Sequence, residues 1–253
     1  MSEHAEDRSP AYARSLADQD EDQLGGPMSV LVRQKRDHVK LDRLLNQLEA
    51  TTGADQDRVL LSIYRLVFPH AFAEESVLWP VIRRVLPNGE ELTLQVEQEH
   101  QEVNELVTRL DGDGLDASER SQVLSRLVEV LREDVRDEED ALLPGLQEKL
   151  SPTQLRQLGA AWEAVRRTAP TRPHPVVARR PPGNAIAALP LTILDNLRDL
   201  CEFTAYRAPR AAPTLHSTSH ALARAAGRVE QIPIMRRGER QSTHVPEGPS
   251  NAG

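Results

Sequence analysis

The sequence predicts an all-α protein: an antiparallel four-helix up-down bundle with a fifth docking helix, an extended Pro-rich strap and disordered tails. Three observations predict it. Apolar residues recur at helical spacing in five successive stretches. The core-forming residues are mainly Leu, Val and Ala, with aromatic residues only 3% of the chain, which suits helices more than sheet. Two segments, 70–86 and 134–150, repeat each other in register, so the chain reads as two helical hairpins.

In chain order, residues 1–26 are polar and acidic and close on Gly25-Gly26-Pro27; they read as a disordered N-terminus. The bundle is assigned to residues 27–150. Its first helix runs from about Ser29 to Ala50, with Val30, Leu31, Leu41, Leu44, Leu45 and Leu48 on one face, and stops at Thr51-Thr52-Gly53. The second runs from about Asp55 to Leu86, with bends expected at Pro69 and Pro80, and ends at Pro87-Asn88-Gly89. The third spans about Glu90 to Leu110. The fourth starts near Ala117, carries Val123, Leu124, Leu127, Val130, Leu131 and Val135, and reaches Leu150. Ser151 and Pro152 suit the N-cap and first position of a fifth helix that continues through Leu155, Leu158, Trp162 and Val165. Residues 151–206 thus combine this helix, a Pro-rich strap over 168–183 and a short helix from Ile193 to about Tyr206, all expected to pack on the bundle. Residues 207–253 lack apolar periodicity and read as a disordered, mildly basic tail.

Composition narrows function. The 253 residues allow one core of roughly 150 residues with appendages. A formal net charge of -8 argues against a general nucleic-acid binder. Cys201 is the sole cysteine, so neither a disulfide framework nor a cysteine metal site forms within one chain. The N-terminus lacks the basic and apolar regions of a secretory signal, and no apolar run approaches the ~20 residues of a membrane span. The expected compartment is the cytoplasm, with no membrane partner.

The repeat also places candidate ligands. In His70-Ala-Phe-Ala-Glu74-Glu75 and Asp134-Val-Arg-Asp-Glu138-Glu139, the Glu-Glu pair recurs, followed in both by Leu, Pro and a final Leu. His38 and His100 hold matching places on the preceding helices. His70/Glu74 and Asp134/Glu138 are each four apart, so each pair shares a helix face. From His38 to the first turn is ~18 Å of helix and from that turn to His70 ~22 Å, so the two can sit at one level. Three imidazoles and three carboxylates suit iron or manganese. Taken singly, a Glu-Glu pair is usually a solvated face and a helical histidine a surface residue. The combination across four helices carries the signal. His4, His174, His216, His220 and His244 lie in linkers or tails and are given no role.

The ordered set Asp37-His38, His70-Ala-Phe-Ala-Glu74, Glu99-His100 and Asp134-Val-Arg-Asp-Glu138 resembles the hemerythrin-like, HHE cation-binding family, over about residues 29–150. The strap is similar to extensions of actinobacterial members. The resemblance implies a non-haem di-iron site: His38 and His70 on one iron, His100 on the other, Glu74 and Glu138 bridging. Asp134 stands where the family has histidine. Two outcomes are open: it coordinates as a carboxylate, or it falls short and leaves the second site weak. Asn104 stands where oxygen-carrying members have a further histidine. The resemblance therefore implies reaction with, or sensing of, oxygen, peroxide or nitric oxide, including catalase-like or peroxidase-like chemistry and a link to oxidative stress. The alternatives are a redox-responsive binding module whose tails meet a protein partner, and a metal-poor structural bundle that has lost part of its site at Asp134.

Overall fold

The computed structural model describes residues 14–112, 114–174 and 183–232, the last stretch with side chains from Ala188 onward. Its elements are α1 (Val30–Ala50), α2 (Gly53–Ala73), α3 (Trp79–Val85), α4 (Gly89–Asp111), α5 (Ala117–Asp137), α6 (Leu143–Lys149), α7 (Pro152–Arg166), α8 (Gly183–Arg207) and α9 (Ala212–Glu230). No strand occurs among the described residues. α1, α2–α3, α4 and α5–α6 are the four legs of the bundle. α1 packs on α2, α4 on α5, α3 on α4, and α1 on α5 closes the ring.

The caps follow the sequence. The Ser29 hydroxyl accepts the Leu31 N–H at the start of α1. Asp116 and Glu119 form a reciprocal capping box at α5, and Ser151 and Gln154 form another at α7, ahead of which Pro152 sacrifices no bond.

Pro69 lies inside α2, which runs through it. The interruption comes later, as a π-helical turn over Glu74–Leu78 that joins α2 to α3. There the Trp79 N–H reaches back to the Glu74 carbonyl. The second hairpin does the same over Glu138–Leu142, where the Leu143 N–H bonds the Glu138 carbonyl. Each wide turn ends two residues before a proline, Pro80 or Pro144. A proline has no N–H to give and its ring clashes with the carbonyl four residues back, so a turn widened by one residue relieves both conflicts. The extra residue shifts the buried face by one position. Trp79, Ile82 and Leu86 are buried below the turn, while Val81 and Val85 are only partly so.

The core has two apolar layers with a polar one between. Leu41, Leu45, Leu48, Leu60, Ile63, Val103, Leu106 and Leu127 belong to one layer, toward the α1–α2 and α4–α5 turns. Leu31, Leu78, Trp79, Ile82, Val96, Leu143, Leu146, Leu155 and Trp162 belong to the other. On every leg the candidate ligands fall between these sets. The fifth helix docks as expected: α7 packs on α1 and α2 and buries Trp162.

Three expectations about the flanking segments need correction. Residues 14–26 are ordered rather than disordered: Leu16 and Leu24 are fully buried in the second apolar layer. Lys35 Nζ donates to the Ala17 and Gln19 carbonyls at 2.8 and 2.6 Å, and the Gln19 and Gln147 amides pair. The segment is polar on average, but two leucines suffice to close the open end of the bundle. The second correction is α8, which begins at Gly183, well before Ile193. The third is α9, which occupies much of the expected tail. Its contact with α8 uses Ala226 and Val229 against Leu191 and Leu194. Residues 1–13, 175–182 and 233–253, on which parts of these expectations fall, lie outside the described residues.

His174 also has a partner set. The strap residues Thr171 and Arg172 donate their backbone N–H groups to Asp195 Oδ2, both at 3.0 Å. Arg172 reaches Asp199 at 2.9 Å and Glu202 at 2.6 Å. His174 joins Asp195 of α8 at 3.0 Å to Glu230 of α9 at 2.8 Å. Burial alone would lower the His174 pKa, but its two carboxylate partners raise it to about 9.

Two outcomes follow. A group whose pKa is raised on folding stabilises fully below its unfolded value near 6.5, and that contribution is lost as pH rises through about 9. Hydrogen exchange should therefore show α8–α9 loosening between these values, by on the order of 2–4 kcal/mol. His174→Ala should remove the pH dependence; loosening that persists in the variant would refute the assignment. At Gly159, an added Cβ would collide with the Met28 carbonyl and come within 2.9 Å of the Val30 nitrogen, both rigid backbone. Gly159→Ala should destabilise by about 1–3 kcal/mol in urea unfolding, despite alanine's better helix propensity.

Candidate metal centre

All six candidate ligands meet in the polar layer. His38, His70, His100, Asp134, Glu74 and Glu138 are buried, and Glu74 is 0% exposed, so no carboxylate oxygen there is satisfied by solvent. Their donor atoms fall in two groups, each within 4.8 Å: His38, His70, Glu74 and Glu138, and His100, Asp134 and Glu138. Glu138 belongs to both. Glu74 Oε1 lies 3.0 Å from His70 Nε2, and its Oε2 lies 3.7 Å from His100 Nε2. His38 Nε2 is 3.2 Å from Glu138 Oε2, and Asp134 Oδ1 is 3.5 Å from His100 Nε2. The Asp134 carboxylate therefore reaches the cluster.

The outward-facing nitrogens are tied down. His38 Nδ1 meets Glu139 Oε1 at 2.8 Å, His100 Nδ1 meets Glu75 Oε1 at 3.0 Å, and His70 Nδ1 meets Asp37 Oδ2 at 3.3 Å. A carboxylate on Nδ1 holds the proton there and leaves the Nε2 lone pair facing the cluster. Each hairpin supplies the other: Glu75 serves His100, and Glu139 serves His38. The widened turns make this double duty feasible, because consecutive side chains diverge less on a π turn and both glutamates of each pair stay inward.

By the repeat, Glu99 should serve position 134 as Asp37 serves His70. Asp134 offers no ring N–H, and Glu99 turns instead to the Asp137 carboxyl. Partial burial and that shared proton push Glu99 up to about 7.

Sequence reasoning named the six residues that meet in this layer and missed the acids around them: Asp37, Glu75 and Glu139 on the imidazoles, and Glu99 beside Asp137. A signal was present. The second glutamate of each pair and an acid before each helix histidine recur in both hairpins, and a solvated face imposes no such recurrence. Asn104, by contrast, takes no part; its amide donates to the His100 carbonyl on its own helix at 2.9 Å.

Burial works against charge throughout, and the neighbours decide its effect. His38 is desolvated, yet Glu138 and Glu139 raise it to about 9; His100 is likewise raised to about 10 by Asp134, Glu75 and Glu74. Glu74 is held below its ordinary value because His70, His100 and His38 outweigh burial. Asp134 and Glu138 are raised by burial and by neighbouring carboxylates.

The donors fit a cation by a test internal to the structure. His38 Nε2, both oxygens of Glu74 and of Glu138, and Asp134 Oδ1 are buried without a well-directed hydrogen-bond partner. Native interiors leave few such atoms, each costing about 1–3 kcal/mol. Here they converge, with the nitrogen and oxygen chemistry that binds iron.

Residues 30–146 match the family model described as the hemerythrin HHE cation binding domain. These residues form a hemerythrin HHE domain. An uncharacterized hemerythrin-like protein of Schizosaccharomyces pombe is 26% identical over 173 residues, covering 66% of this chain and 83% of that protein. A protein named DNA nickase, from Nostoc sp., is 26% identical over 133 residues, 52% of this chain. The match spans only 37% of that relative. No solved structure matches the chain. No described helix is long and apolar enough to cross a membrane.

Two tryptophans, one in the HHE domain and one on α7, report on the cluster. Trp162 meets the His70 ring edge-on at 5.3 Å, and Trp79 stacks over His100 at 6.3 Å; the chain has no other tryptophan. Titration with ferrous or cobaltous ion should quench fluorescence in two stages, and Trp162→Phe should leave only the His100 stage. Emission unchanged by a bound ion would contradict this placement.

Proposed function

We propose that the HHE domain is a non-haem di-iron protein that reacts with or senses a small oxidant: oxygen, peroxide or nitric oxide. His38, His70, Glu74 and Glu138 would hold one iron. His100, Asp134 and Glu138 would hold the other, with Glu74 also reaching it. Manganese suits the same donors. The observation that carries the reading is the set of buried, undirected donor atoms converging from four helices.

Iron would supply redox change and a Lewis-acidic position for a small ligand. The chain supplies the rest. Glu139, Glu75 and Asp37 fix the imidazole tautomers. A cavity of ≈ 20 Å³ lies against His38, His70, His100 and Asp134, walled by Leu41, Leu66, Val67, Ala71 and Val135. That volume admits one water or a diatomic and little more. Besides the ligating groups its one polar lining residue is Asp37, already paired with His70, so its size and aliphatic walls favour oxygen, peroxide and nitric oxide over larger substrates. Asp134 in place of a neutral imidazole adds negative charge and favours the ferric state.

Metal analysis with absorption spectroscopy on aerobically purified protein tests this. About two irons per chain are expected. Glu138→Ala, which removes the donor common to both groups, should leave at most one. Asp134→His should keep two and shift charge-transfer absorption, since Glu99 stands ready to hold the new ring; adding Glu99→Ala should undo the shift. Absence of iron and manganese from the wild type would sink the proposal and leave a structural bundle.

A further inference from the structure

The α8 helix turns one side inward and leaves the other bare. Leu191, Thr192, Asp195, Asp199 and Ala205 are buried. Leu189, Ile193, Leu197 and Leu200 are exposed, at 66%, 53%, 44% and 62%. Their spacing places them on one stripe. The other exposed positions from Leu189 to Thr204 are Asn196 and Thr204 themselves, so this face carries no charge. Single exposed leucines need no explanation, but a continuous uncharged aliphatic stripe on a surface helix does.

The neighbouring charges are already committed. Arg198 lies 3.6 Å from Asp111, and Glu202 takes Arg172 at 2.6 Å and the Ser219 hydroxyl at 2.8 Å. Alongside the stripe, Arg198 and Glu202 are thus paired and offer little charge to draw an oppositely charged partner or to repel a like copy. The chain as a whole carries -8, so copies repel one another except where the contact is free of net charge.

We propose that this stripe is the contact through which two copies of the chain associate, α8 against α8, antiparallel about a two-fold axis. Such an interface must be complementary to itself. The stripe meets that condition: with the axis at the level of Leu194 and Asp195, Leu189 falls opposite Leu200 of the second copy, and Ile193 opposite its Leu197. The midpoints of the two pairs differ by half a residue, ~0.75 Å of helix rise, so one two-fold axis sets both pairs together. The proposal does not depend on the metal reading.

Sedimentation of the full chain tests it. The wild type should be a dimer. Ile193→Lys and Leu197→Glu should each weaken self-association by roughly 100-fold or more, because each desolvates an unpaired charge. Circular dichroism should be unchanged, since both positions are exposed. The double variant should regain the dimer, because the two-fold sets each lysine against a glutamate of the other copy. A monomeric wild type overturns the proposal, as does a dimer that survives both single changes. Monomeric single variants that the double variant fails to rescue overturn the antiparallel arrangement.

Discussion

Six ionisable side chains buried at one level of a helical bundle are the constraint on which the rest of this structure depends. Each would resist leaving water, and a charge stays buried only where others face it. Imidazoles alternate with carboxylates, outer acids hold the far side of the rings, and closed apolar layers seal both ends. The N-terminal leucines and α7 complete the seal at the end where the hairpins alone leave it open. The flanking segments thus belong to the site's chemistry as well as to its stability, because they keep water from donors that a cation must win.

The two hairpins are related down to individual contacts. His38 with Glu139 mirrors His100 with Glu75, and the π turns begin on Glu74 and on Glu138. The relation fails at one place, where Asp134 and Glu99 stand against His70 and Asp37. Both members differ in what they do: Asp134 brings a carboxyl group to the cluster where its counterpart brings an imidazole, and Glu99 settles on Asp137. One substitution has thus made the two half-sites chemically unequal, one richer in imidazole and the other in carboxylate.

Much of this was legible in the sequence because a duplicated pattern is hard to produce by accident. Helix spans, turn positions and the six residues that meet in the polar layer follow from period and repeat. What escaped had weak local signals. Leu16 and Leu24 sit in an acidic, polar stretch whose average composition hides them. α9 carries Leu215, Leu222, Ala226 and Val229 at helical spacing, but sparsely and among Ser, Thr and Arg, so its stripe is easily passed over. Asp37, Glu75 and Glu139 look like surface acids until the neighbouring helix or the opposite hairpin is packed against them, since their partners are distant in sequence. The strap histidine was dismissed for the same reason: its two carboxylates arrive from α8 and α9.

The widened turns also set how this domain tolerates insertion and deletion. Above each turn the inward face follows one helical phase, and below it the phase is advanced by one residue, as burial of Trp79 and Ile82 over Val81 shows. A loop can gain or lose residues without moving a ligand. Removing one residue between His70 and Leu86 would instead restore an ordinary helical ladder, drive Pro80 into a carbonyl and rotate the lower segment by about 100°. Length variation in descendants of this sequence is thereby confined to turns and termini, and the ligand-bearing legs are fixed in length to the residue.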